Sequence, residues 1–136
     1  MPSSLLRLSG RKTCDRVLRQ GRVWKGPLLA ARWLPLPPHT KERIPPTGAI
    51  FVGTMVSAAL EKSAVRRNRM RRRCREALRI AVREMPRVPT VQLLLCPRSA
   101  SLDAPFPELQ AQVCKLLAAL SSACPPTDGH ASSNSR

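Results

Sequence analysis

Apolar positions along the 136-residue chain change period several times, and each change marks an element. Over residues 9–21 (SGRKTCDRVLRQG), Cys14, Val17 and Leu18 fall at i, i+3 and i+4, predicting a short helix stopped by Gly21. Pro27 opens LLAARWL, a strand over residues 28–34 that ends in the proline cluster at 35–38. Alternation places Leu28, Ala30, Arg32 and Leu34 on one face and Leu29, Ala31 and Trp33 on the other. Trp33 reads as core rather than as a platform for stacking a base. A charged, Pro-rich loop continues to residue 47. Residues 49–56 (AIFVGTMV) are apolar on both faces, the pattern of a central strand, and Gly53 within them predicts a bulge or close approach of another backbone.

The period then becomes helical. Ser63 suits the N-cap of a helix running to Arg83 and closed by Pro86. Met70, Cys74, Ala77, Leu78, Ala81 and Val82 make its buried stripe, which Val65 extends toward the N-terminus. Residues 91–96 (VQLLLC) form a third strand, residues 99–107 a loop, and residues 108–120 (ELQAQVCKLLAAL) a helix packed through Val113, Leu116, Leu117 and Leu120. The order predicts an α+β fold of the form α-β-β-α-β-α, a sandwich with a small central sheet. One sheet face needs a helical cover; the other is left partly open as a ligand surface. Residues 1–120 read as a single domain and residues 121–136 as a disordered polar tail.

Charge changes the picture most in the second helix. Lys62, Arg66, Arg67, Arg69, Arg71, Arg72, Arg73 and Arg75 crowd into fifteen residues with no acid before Glu76. Cations three and four residues apart repel each other on a helix, so the segment is suited to an anionic partner. Arg66, Arg69 and Arg73 line one face and Arg67, Arg71 and Arg75 another. Arginines at the N-terminal end also oppose the macrodipole, a cost that a bound phosphate removes. The whole chain carries a formal charge of +16, with nineteen Arg to five Lys, which favours phosphate and base-edge recognition.

Several other chemistries find no support. No apolar run reaches transmembrane length, and the N-terminal stretch has no apolar signal core, so no membrane partner is expected. The five cysteines are odd in number, widely spaced and without a CxxC pair, which fits reduced thiols in a cytoplasmic protein and no protein-held metal. His39 lies in a Pro-rich loop and His130 in the polar tail; the eight carboxylates form no close pair, and there is no Gly-rich phosphate loop. No catalytic residue is expected in the chain. A DNA-binding basic region would want a leucine heptad after Arg75, where Pro86 and Pro89 intervene, so DNA is not an expected partner.

The run Lys62-Ser63-Ala64-Val65-Arg66-Arg67-Asn68-Arg69, continuing Met70-Arg71-Arg72-Arg73-Cys74-Arg75-Glu76, closely resembles the RNR signature of the bacterial ribonuclease P protein component. The order of elements over residues 5–120 is similar to that family as well. The resemblance implies a left-handed βαβ crossover, an exception to the usual handedness. It also implies the protein subunit of an endoribonuclease that removes the 5′ leader of precursor tRNA. It further implies that ribonuclease P RNA is the partner that performs the cleavage, with Mg²⁺ held through the RNA subunit. By resemblance, the Lys62–Arg75 cations and Asn68 contact RNA, with Arg67, Asn68 and Arg69 meeting the RNA subunit and the region near the cleavage site, and a cleft between the first helix and the sheet takes the leader. The family's aromatic positions in that cleft correspond here to Cys14 and Leu18, and a first-strand tyrosine to Arg32. Ala58, Ala59 and Cys96 stand where the family often has cations. Leader binding should therefore lean on charge more than on stacking. The alternative is a general basic RNA-binding scaffold of ribosomal-protein type.

Overall fold

Strand β5 (Val91–Pro97) lies at the centre of a five-stranded sheet and is buried along nearly all its length in a computed structural model. The structure describes residues 5–8, 10–36 and 48–123. The other strands are β1 (Leu5–Arg7), β2 (Arg22–Lys25), β3 (Leu29–Pro35) and β4 (Ile50–Thr54), in spatial order β1-β4-β5-β3-β2. The helices are α1 (Arg11–Gln20), α2 (Ala64–Arg83), α3 (Ala100–Asp103) and α4 (Phe106–Ala123). Strands β1, β4 and β5 run parallel, and β3 and β2 antiparallel to their neighbours. Helix α2 is thus the connection between parallel neighbours β4 and β5.

The fold is α+β as the hydrophobic pattern predicts, but with five strands rather than three. Strands β1 and β2 have three and four residues, too short for a repeat of period two to stand out. Each is defined by its neighbour: Leu5–Arg7 pairs with Ile50–Val52, and Arg22–Lys25 with Ala30–Trp33. The stretch expected as a loop at 99–107 holds α3, and α4 begins at Phe106 and runs to Ala123. The expected tail otherwise lies outside the described residues.

Alternation along the strands divides the core into two layers. Leu29, Ala31, Trp33, Ile50, Val52, Val91, Leu93 and Leu95 meet α2 and α4 through Cys74, Ala77, Leu78, Leu109, Val113 and Leu116. Leu28, expected on the opposite face, joins this layer from just before β3. On the other face, Phe51 and Leu94 pack with Val17 of α1, and Cys14, Leu18, Leu34, Met55 and Cys96 surround them. Helix α1 therefore covers part of the face expected to be open. A Cβ added at Gly53 would stand 3.5 Å from the Leu8 and Leu94 side chains, an ordinary contact, and its nearest atoms include no backbone. A third small cluster of Val56, Met70 and Leu102 seats α2 on α3.

Candidate nucleic-acid interface

Helix α2 begins where its sequence specifies. Ser63 has extended backbone, and its hydroxyl accepts from the Arg66 amide at 3.3 Å. Met70, Cys74, Ala77, Leu78, Ala81 and Val82 are buried, so a single stripe fixes which sides of the helix face water. Val65, expected to extend that stripe, is 76% exposed. It lies in the first turn, ahead of Met70, the first buried residue of the helix. Burial pushes the Cys74 thiol up to about 12 against the opposing pull of Arg73, so it stays neutral.

The cations of the run from Lys62 to Arg75 divide into two groups. Lys62, Arg69, Arg72 and Arg75 are exposed, and among the described residues no hydrogen bond or ion pair engages their side chains. The others are partly committed. Arg66 Nε donates to Glu61 Oε1 at 3.1 Å, while Glu61 Oε2 accepts from the Ser63 amide at 3.1 Å. These bonds hold the Glu61 carboxyl below the usual carboxylate range, the Ser63 amide first and the Arg66 guanidinium next. Arg67 donates to the carbonyls of Glu61 at 2.8 Å and Lys62 at 3.0 Å, and Arg71 donates to Asn68 Oδ1 at 2.8 Å. Loop and first turn are thereby tied into one unit carrying Arg67, Asn68 and Arg69.

Arg73 departs from the expected outward cation. Its guanidinium donates to the carbonyl of Ser101 at 3.2 Å and to that of Ala104. It spans from α2 to the last turn of α3, where backbone carbonyls lack helical partners and attract positive charge.

Cys14, Leu18 and Arg32 converge on the opposite face of the sheet. Arg32 donates to the Leu18 carbonyl at 3.0 Å, closing the C-terminal end of α1, and Arg16 bridges to Gln92 of β5 at 2.6 Å. Cys14 and Leu18 are partly buried around the Val17–Phe51–Leu94 cluster, so they pack as well as line the helix–sheet junction. Burial raises the Cys96 thiol above its ordinary value, against the pull of Arg32.

Patterning overlooked two participants, Glu61 and Arg7. An acid two residues before an N-cap serine is a recognisable signal for the first. Arg7 ends β1 and lines a groove of about 510 Å³ between that strand and α2, together with Arg72, Arg75 and Arg79. Its local sequence, LLRL, carries no such signal. Arg79 is paired with Glu76, whose carboxyl the Arg79 hydrogen bond lowers. Among the described residues no cluster of His, Cys, Asp and Glu could hold a metal ion. Nor is any described helix long and apolar enough to cross a membrane.

A basic helix carried between two strands of a small α+β sheet, with a second helix across the sheet, is the fold of the bacterial ribonuclease P proteins. The Staphylococcus aureus protein superposes with a TM-score of 0.61 at 16% identity, over 85% of this chain and 94% of that one. The Thermotoga maritima protein gives 0.62 at 17% identity, over 82% and 94%. A family model described as Ribonuclease P matches residues 3–121. The chain is 34% identical over 111 residues to the ribonuclease P protein component of a Synechococcus strain, covering 82% of this chain and 78% of that one. Identity to the Thermus oshimai component is 37% over 94 residues; the match takes in 69% of this chain and about half (51%) of that longer relative. The chain belongs to the ribonuclease P protein family.

Proposed function

We propose that this chain is the cytoplasmic protein subunit of a ribonuclease P, binding both the catalytic RNA and the 5′ leader of precursor tRNA. The observation that carries the reading is the exposed set Lys62, Arg69, Arg72 and Arg75, unpaired beside the tied Arg67–Asn68 turn on a helix whose other face is packed. Fixed guanidinium groups neutralise phosphates where two RNAs come together, which reduces the repulsion against docking the substrate. Phosphodiester cleavage belongs to the RNA subunit and its Mg²⁺; the protein lowers the Mg²⁺ needed by holding the RNAs. Cys14, Leu18 and Arg32, across the sheet from α2, mark the leader cleft. With no aromatic ring among them, that cleft relies on Arg32, Arg16 and apolar contact.

Reconstitution tests the proposal. The full chain, a bacterial ribonuclease P RNA and precursor tRNA are mixed at low Mg²⁺, and 5′ maturation is followed. Stimulation over RNA alone is the expected outcome. No stimulation would sink the proposal, and cleavage by protein alone would make it a nuclease in its own right.

A further inference from the structure

The groove between β1 and α2 is distinct in place and construction from the α1 face. Its floor is aliphatic, with partly buried Leu5 lying over buried Val52 and Leu78, and its walls carry Arg7 on the strand and Arg72, Arg75 and the mutually paired Glu76 and Arg79 on the helix. No hydrogen bond or ion pair among the described residues engages those three guanidinium groups. Three unpaired cations around an apolar floor call for an occupant that is anionic and also has an apolar face. The volume, about 510 Å³, lies in the range that accommodates a small-molecule-sized group.

Arg72 and Arg75 also line a second hollow of about 420 Å³ that runs back along α2 past Asn68 to Val65. From Val65 to Arg79 the two hollows follow about four turns of one helix side. An occupant of the groove is therefore continuous with any polyanion lying along Arg67–Arg69. A nucleic acid strand has that continuity, whereas a peptide added to the β1 edge would not.

We infer that the β1–α2 groove receives one unstacked nucleotide of the RNA subunit, its base against Leu5 and the edge of Val52 and its flanking phosphates on Arg7, Arg72 and Arg75. Splayed bases of single-stranded RNA are held in this way on apolar side chains and on guanidinium planes. The inference rests on the proposed role as a ribonuclease P subunit and adds where on the chain one base is taken up. The aliphatic floor reads no hydrogen-bonding edge, so the site selects for an unpaired nucleotide more than for a particular base.

Two measurements on the full chain test it. In methyl NMR, adenosine 5′-monophosphate should shift Leu5, Leu6 and Val52, while ribose 5-phosphate and inorganic phosphate should leave those methyls in place. Shifts confined to residues around Cys14 and Leu18, equal shifts with ribose 5-phosphate, or shifts that follow protein concentration (a second copy in the groove) would each overturn the assignment. In binding to ribonuclease P RNA, Arg7→Gln with Arg75→Gln should weaken affinity about tenfold more than the charge-matched control Arg83→Gln with Lys115→Gln. Equal losses in the two variants, or a loss seen only with precursor tRNA, would overturn it. If the unaltered chain fails to bind ribonuclease P RNA at all, the proposed function fails instead, so the two failures are separable.

Discussion

The Arg73 guanidinium donates to the backbone carbonyl of Ser101, 28 positions further along the chain, at 3.2 Å. One arginine of the basic run is thereby a brace between α2 and α3, reinforced by the Ala104 carbonyl and by the Val56–Met70–Leu102 cluster beside it. Replacing it strands carbonyls at the end of α3. Arg73→Gln should cost about 1–3 kcal/mol in denaturant unfolding while leaving the salt dependence of RNA binding nearly unchanged.

Arg69 is expected to behave in the opposite way. Its side chain has no partner among the described residues, so Arg69→Ala should leave stability within about 0.5 kcal/mol. Adding Arg67→Ala should lower the slope of log affinity against log salt by roughly one unit per lost phosphate contact. Titrations over a range of salt concentrations measure it; an unchanged slope would show that neither arginine meets a phosphate. Because Arg67 also ties down the Glu61 and Lys62 carbonyls, its loss should show in stability as well.

Glu61 provides a pH test. Its carboxyl is held below the ordinary carboxylate range by the Ser63 amide and then by Arg66, so it helps the folded state while ionised. That help is present above the ordinary carboxylate pKa and disappears as pH falls through the lowered folded value. Glu61→Gln should accordingly be less stable than the unaltered chain at pH 7, with the gap closing as pH falls through the lowered folded value. Denaturant midpoints measured from pH 7 down into acid decide it.

Cys74 and Cys114 should separate cleanly with a thiol reagent. Cys114 is exposed and should react at once, whereas Cys74, buried and pushed up to about 12, should react only on unfolding. The unfolded thiol ionises nearer its ordinary value of 9.0, so between the two values the unfolded state binds fewer protons. The Cys74 contribution to stability should fall as pH rises through that window.

Gly48 is held at φ 90, and a Cβ there would stand 1.9 Å from the Val88 carbonyl oxygen. Neither the backbone angle nor the clash can be relieved by rotating a side chain. Gly48→Ala should lower stability by at least about 1–3 kcal/mol, seen as a lower urea midpoint at unchanged slope.

Elements whose signals are local are legible in the sequence. Helix α2 is bounded by the Ser63 capping hydroxyl and by Pro86, markers that lie at its own two ends. Strands β4 and β5 stand out as apolar runs longer than any turn. Strands β1 and β2 are not legible, because their pairing with β4 and β3 defines them. Among the site residues, the exposed Arg69, Arg72 and Arg75 follow from helical phase alone. Arg73 does not, since its acceptors lie 28 and 31 residues away and nothing nearby in sequence marks them. Val65 misleads because helical phase cannot show that a stripe's first turn stays in water.

Both margins of the sheet are short and cationic: β1 has three residues ending in Arg7, and β2 has four, with Arg22 and Lys25. An open strand edge invites pairing with another copy, and positive charge on a short strand discourages it. The unbound chain is thereby kept from templating its own aggregation. A polyanion that screens those margins would relax that safeguard, so during assembly, mixtures with excess protein should be the first to precipitate.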